Sequence, residues 1–135
     1  MQSFSQYLPT LISTLICFSL GTFWFSRALF GNKWMELIGK TDEEMKNILT
    51  LKTYGSIFLV LFIFNYAMSV FIDITNTIGM SQGIETGIWI WAGFCATTIA
   101  FVFLFEGRSR IFYVITTGYL LVACIISGTL HAMWR

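Results

Sequence analysis

Lys, Arg, Asp and Glu are absent from residues 1–26, 53–72, 86–105 and 111–130, and no other feature constrains the chain as tightly. The last three of these stretches are each 20 residues long and the first is 26. A bilayer core about 30 Å thick takes about 20 apolar residues at helical rise, so each stretch has room for one membrane-spanning helix. Backbone crossing lipid has to satisfy its own hydrogen bonds, and a spanning β-barrel would show shorter segments of alternating polarity, which are missing here. The spacing predicts spans at residues 7–25, 54–75, 86–105 and 111–130. The expected fold is all-α: an integral membrane four-helix bundle, one four-span transmembrane domain over residues 1–135, with a short cytoplasmic interfacial helix between spans one and two.

Composition narrows the function classes. Hydrophobic residues make up 56% of the 135-residue chain and charged residues 11%, where a soluble domain carries about 25%. Disordered, collagen-like and disulfide-stapled secreted chains are excluded. A net charge of +1 supplies no basic stripe for nucleic acid. The first span lacks the basic n-region of a signal peptide, and Ala28-Leu29-Phe30 is a poor cleavage site, so a permanent helix is expected. Pro9 falls in its first turn, where a missing N–H is tolerated.

The basic residues set an orientation. Arg27, Lys33, Lys40, Lys46, Lys52, Arg108 and Arg110 fall in the first and third loops, and Arg135 alone falls on the other side. The positive-inside rule then places the first and third loops in the cytoplasm and both termini outside. The setting expected is the cell (inner) membrane.

Within the first loop, Phe30, Trp34, Leu37 and Ile38 at helical spacing predict the interfacial helix over residues 28–38, closed by Gly39. Thr41-Asp42-Glu43-Glu44 matches a capping box, with Thr41 as N-cap and Glu44 returning a hydrogen bond, and acidic residues there suit the helix dipole. That helix is expected to run, with a bend, into the second span. Asn76-Thr77-Ile78-Gly79-Met80-Ser81-Gln82-Gly83 has the composition of a short external turn.

Lipid gives helices no hydrophobic reason to associate, so small residues and interhelical hydrogen bonds have to do it. Ser13, Cys17 and Gly21 recur every fourth residue in the first span, and Ala92, Ala96 and Ala100 in the third, beside Gly93 and Thr97. Cys124 and Gly128 mark the fourth, with Ala123 and Ser127. Cys17, Cys95 and Cys124 read as small buried residues, since no Cys-x-x-Cys or histidine partner points to a metal. No metal or other cofactor is expected. His131 reads as an interfacial residue at the outer end of span four.

Two groups of polar residues stand out as candidate sites. Asn65, near the centre of span two, is placed to make an interhelical hydrogen bond or to hold a polar group of a ligand, and Asp73 is the one acid in reach of that span's apolar face. Trp24, Trp34 and Tyr119 are aromatic candidates for the same contacts. Arg27, Glu106 and Arg108 form a candidate polar cluster at the cytoplasmic side. There Glu106 pairs with Arg27 as a clamp between hairpins, or joins Arg108 in a headgroup or anion site. Nothing resembles a nucleophile–base pair or a phosphate loop, so no catalytic residues are assigned.

Taken in order, Trp24-Phe25-Ser26, Phe30-Gly31-x-Lys33-Trp34-Met35, Gly39, the acidic stretch from Thr41 to Met45, Gly93-Phe94, Phe105-Glu106-Gly107-Arg108, Gly118-Tyr119, Gly128 and Trp134 resemble the pattern of DUF1761, a family of small bacterial integral membrane proteins of unknown function. Family members often carry Pro after the Gly-Phe and Ile-Asn before the Gly-Tyr; this chain has Cys95-Ala96-Thr97 and Thr116-Thr117 there. The resemblance implies four helices and supplies no activity.

The first functional expectation is a non-enzymatic membrane protein that forms a homo-oligomer or serves as an auxiliary subunit of a larger membrane complex. Membrane lipids are its other expected partners, and nucleic acid is not one. The second expectation is a carrier or binding protein for a lipid or small lipophilic molecule, using a cavity near Asn65. An interfacial enzyme working through Glu106 is the third.

Overall fold

In the computed structural model, residues 4–134 are described, and every regular element among them is helical. The elements are α1 (Phe4–Trp24), α2 (Gly31–Ile38), α3 (Asp42–Ile48), α4 (Leu51–Ile74), α5 (Gly79–Ile90), a π-helical turn (Trp91–Ala96), α6 (Thr97–Glu106) and α7 (Arg110–Met133). Four helices are long and apolar enough to cross a membrane: Tyr7–Trp24, Leu51–Ile74, Gly79–Glu106 and Arg110–Met133. The third is continuous through α5, the π-helical turn and α6. Each contains most of one charge-free stretch, which is the pattern expected of a multi-pass membrane protein. Arg135, the lone basic residue assigned to the termini side, lies outside the described residues.

Two boundaries differ from expectation. The helix begun at Thr41 stops at Ile48, and a separate helix starts at Leu51. Thr50 is the reason: its hydroxyl oxygen accepts the Thr53 N–H at 3.3 Å, an N-cap that restarts the helix instead of bending it. The expected external turn from Asn76 to Gly83 is helical from Gly79 onward. Gln82 Oε1 accepts the Ile78 N–H at 3.0 Å and seals that end, and Gly83 serves close packing and not a bend. The Thr41 cap forms, with Thr41 Oγ1 accepting the Glu44 N–H at 3.2 Å. Glu44 answers by accepting from the Thr41 hydroxyl, not from its N–H. Gly39 and Gly107 close α2 and α6 at φ of 69° and 66°, where side chains are rarely tolerated.

α7 is the hub, packing on α1, α4, α5, the π-helical turn and α6. Its most extensive contact is with α5. There three glycines remove the side chains that would hold the backbones apart: a Cβ on Gly87 would stand 2.5 Å from the Cys124 carbonyl, and one on Gly128 2.5 Å from the Gly83 carbonyl. Close approach of this kind is how lipid-embedded helices gain packing energy. Gly93, expected beside the alanine face, meets nothing within 4 Å. α6 buries no residue, and Phe101, Leu104 and Phe105 stand exposed on it.

The hydroxyl face of α1 turns inward. Thr10, Ser13, Thr14 and Cys17 are all fully buried, joined by Asn65 of α4 and Ser127 of α7. Lateral hydrogen bonds fix the helix directions. Thr10 meets His131, and Trp24 Nε1 donates to the Ile115 carbonyl at 3.0 Å, so α1 and α7 run antiparallel. Ser13 donates to Asn65, and Phe18 packs on Tyr54 further along, so α1 and α4 do too.

Candidate functional site

The turn after α1 builds the first candidate site. Gly31 N donates to the Ser26 carbonyl at 2.8 Å, and Phe30 N to the Trp24 carbonyl at 3.1 Å, folding the chain back on itself. The fold-back requires glycine, since a Cβ on Gly31 would stand 2.5 Å from the Phe25 carbonyl oxygen. It carries α2 across the end of α1 and lays Trp34 against Phe25 at 5.1 Å between ring centroids. Phe25 also meets the edge of Tyr119 at 5.8 Å, and Trp24 packs on Phe30 at 4.9 Å. Tyr119 donates its hydroxyl to the Cys17 carbonyl at 2.7 Å, so its ring is locked. Gly21 leaves the room for it, because a Cβ there would stand 3.0 Å from that hydroxyl.

Above this aromatic floor is a cavity of about 480 Å³ between α1 and α4. Phe18, Phe25, Trp34, Tyr54, Leu61 and Tyr119 form its apolar walls. Thr22, Thr53 and Ser56 also reach it, yet each hydroxyl donates to a backbone carbonyl: Ser19, Ile48 and Lys52 respectively. The space therefore presents hydrocarbon and ring faces. Ile57 and Val60 line it and are also exposed on the outer surface of α4, so it opens sideways where lipid would lie. At about 480 Å³ it falls within the range of small-molecule sites.

A polar space adjoins it. Arg27, Asp42, Met45 and Lys46 line the second space together with Leu49 and Tyr54, which also line the first. Arg27 pairs with Asp42, and both side chains are exposed. The guanidinium bonded to it, with Lys46 close by, holds the Asp42 carboxyl below the usual carboxylate range.

The expected Arg27–Glu106 clamp is not formed. Glu106 pairs instead with Arg108, two residues on across the left-handed Gly107 turn, and α2 and α3 bring Asp42 to Arg27 first. Arg108 also lies over Phe112 and Phe103, 5.2 and 5.6 Å from their ring centroids. Glu106 and Arg108 are together, as expected, and Arg27 is elsewhere.

Asn65 is fully buried and accepts from the Ser13 hydroxyl at 2.5 Å, while its Nδ2 donates to the Leu61 carbonyl at 2.8 Å. It makes the interhelical contact and does not line the cavity, which sits one turn nearer the start of α4 and reaches Leu61. Asp73 lies in the last turn of α4 with its charge in range of His131. His131 differs from expectation. It is 4% exposed, its Nδ1 donates to the Ser127 carbonyl at 2.7 Å, and Nε2 is left to accept from Thr10 at 3.1 Å. The hydroxyls of Thr10, Ser13 and Thr14 on one face of α1, continued by the Cys17 thiol, are the sequence signal that a polar partner faces it. Cys95 and Cys124 bring their Sγ atoms to 4.0 Å, and Cys17 is buried on α1.

A family model described as a protein of unknown function, DUF1761, matches residues 8–132. No curated protein and no solved structure matches the chain.

Proposed function

The chain belongs to the DUF1761 family of proteins of unknown function, and from that premise we propose that it is a non-enzymatic, four-span protein of the bacterial inner membrane that binds a lipophilic molecule between α1 and α4. The observation that carries this reading is the apolar cavity of about 480 Å³ that opens sideways past Ile57 and Val60. A ligand dissolved in the bilayer enters such a site without crossing water, so its apolar surface stays covered throughout. Glycines at 21 and 31 and the hydrogen bonds of Trp24 and Tyr119 hold the aromatic floor in place, so the space is preformed and little ordering has to accompany binding. The family-like segments Trp24-Phe25, Gly31, Trp34 and Gly118-Tyr119 converge on this floor, and Gly118 leaves room for the Trp24 ring. In this reading α2 lies at the cytoplasmic interface as the cover of the site.

Native mass spectrometry of the protein released from detergent tests it. The expected result is one lipophilic adduct per chain, lost when Ile57→Trp fills the opening. An adduct-free parent, or a variant that keeps the adduct, overturns the reading.

A self-associating or auxiliary subunit is the second reading, favoured by the exposed Phe101, Leu104 and Phe105 on α6, none of whose residues is buried. The mass of the particle in mild detergent tests it, and a monomer overturns self-association.

A further inference from the structure

The cavity has a polar neighbour, and the two spaces share Leu49 and Tyr54 as a common wall. An occupant of the first space therefore meets the second at its edge. The two differ completely in chemistry. The hydroxyls of Thr22, Thr53, Ser56 and Tyr119 are each committed to a backbone carbonyl, so the apolar space is lined mainly by hydrocarbon and ring faces. The polar space has two cations and one carboxylate among its lining, Arg27, Lys46 and Asp42. Asp42 is bonded to Arg27. Lys46 forms no ion pair among the described residues, and it lines the same space. One positive charge is thus left over in the lining of the space that adjoins the hydrocarbon-lined one.

We propose that this composite site takes a single-chain anionic amphiphile, with its alkyl chain in the cavity between α1 and α4 and its acidic head at Lys46, flanked by Arg27. This inference rests on the cavity reading above and adds the identity of the ligand class. The cavity is sized for one chain and not for a two-chain lipid. A neutral lipophile would leave Lys46 without a partner, and a cationic one would meet like charge at the mouth. Arg27 donates through a planar fork and can accept a second anion while keeping Asp42, whereas Lys46 contributes a mobile point charge. Both cations are exposed at the surface, so their contribution falls as salt rises, while burial of the chain does not depend on salt.

The experiment compares three probes of equal chain length, palmitate, hexadecanol and hexadecyltrimethylammonium, bound to the full chain in a non-ionic detergent at mildly alkaline pH. Palmitate is expected to bind about ten-fold tighter than hexadecanol, a difference near 1.4 kcal/mol, and to lose most of that margin at high salt. Lys46→Gln should shrink the palmitate-to-hexadecanol ratio several-fold, and Lys46→Arg should keep it. Lys46 is on the surface of the short helix α3, so neither change threatens the fold. Equal binding of palmitate and hexadecanol overturns the acidic-head inference and leaves the cavity reading standing. Failure of all three probes overturns both. Tightest binding by the ammonium probe reverses the sign and overturns the inference, as does an unchanged ratio in Lys46→Gln.

Discussion

Asn65 shows what a single polar side chain does when no water is near. Its Oδ1 takes the Ser13 hydroxyl across the α1–α4 contact, and its Nδ2 takes the Leu61 carbonyl on its own helix, so both ends of the amide are used. Removing the amide leaves the fully buried Ser13 hydroxyl without its acceptor, and an orphaned buried group costs more than the bond itself contributes. Asn65→Leu should therefore lower stability in detergent by about 1–2 kcal/mol, and adding Ser13→Ala should recover part of that loss. Thermal unfolding of the four members of the cycle checks it; additive losses would show that the two groups do not depend on one another. Asn65 was legible because it is the most polar group deep in an apolar stretch. His131 was not, because its burial depends on Thr10, which lies 121 residues away. Arg27 failed differently. Its partner Asp42 stands in the sequence as an acid of the first turn of α3, but only the Gly31 fold-back brings the two together.

At the scale of elements, the absence of charge locates the spans, and the small residues decide how they pack. The α5–α7 contact is set by Gly83, Gly87 and Gly128, and its two α5 glycines sit at or beside the edge of the charge-free stretch that begins at Thr86. Turn composition and close-packing composition draw on the same residue, so Gly83 reads as a loop residue until α7 is seen against it, whereas Gly79, at φ 86° with nothing near it, does begin at a turn. Thr50 is equally hard to read from sequence. A threonine before a hydrophobic run is common, and only the Thr53 N–H bond identifies it as a cap. The seam is testable by contrast with a glycine that packs against nothing. Gly87→Ala pushes a methyl group toward the Cys124 carbonyl, 2.5 Å away, and neither backbone can yield without parting the helices. A loss of about 1–3 kcal/mol is expected. Gly93→Ala has open space and gains helix propensity, so it should be neutral or slightly stabilising. Equal melting temperatures for the two variants would show that the seam is not a tight contact.

For the whole molecule, the helix directions turn a list of basic residues into a charge distribution. α1 runs antiparallel to α4 and to α7, as the Ser13–Asn65, Phe18–Tyr54, Thr10–His131 and Trp24–Ile115 contacts require. The third span opposes α7, with Gly83 against Gly128 at one end and Tyr113 donating to the Ala96 carbonyl at 2.9 Å nearer the other. The ends that carry Arg27, Lys52 and Arg108 are therefore the same end, and Lys33, Lys40 and Lys46 lie on α2, α3 and their link between two of them. Seven cations gather on one face because of how the helices pack, and not only because loops alternate in sequence. Moving that face across a membrane during insertion is costly, and the positive-inside rule therefore predicts that it stays in the cytoplasm. That predicted orientation would put Lys46 and the mouth of the α1–α4 cavity in the cytoplasmic leaflet, and Gln82 on the opposite side. Both Asn47, beside Lys46, and Gln82 are exposed, whereas Cys17 and Cys124 are buried. With the three natural cysteines replaced by alanine, Gln82→Cys should react with a membrane-impermeant thiol reagent added to intact cells, and Asn47→Cys should react only after the membrane is opened. If Asn47→Cys labels from outside and Gln82→Cys does not, the molecule sits the other way up, and the cavity mouth would then meet the outer leaflet.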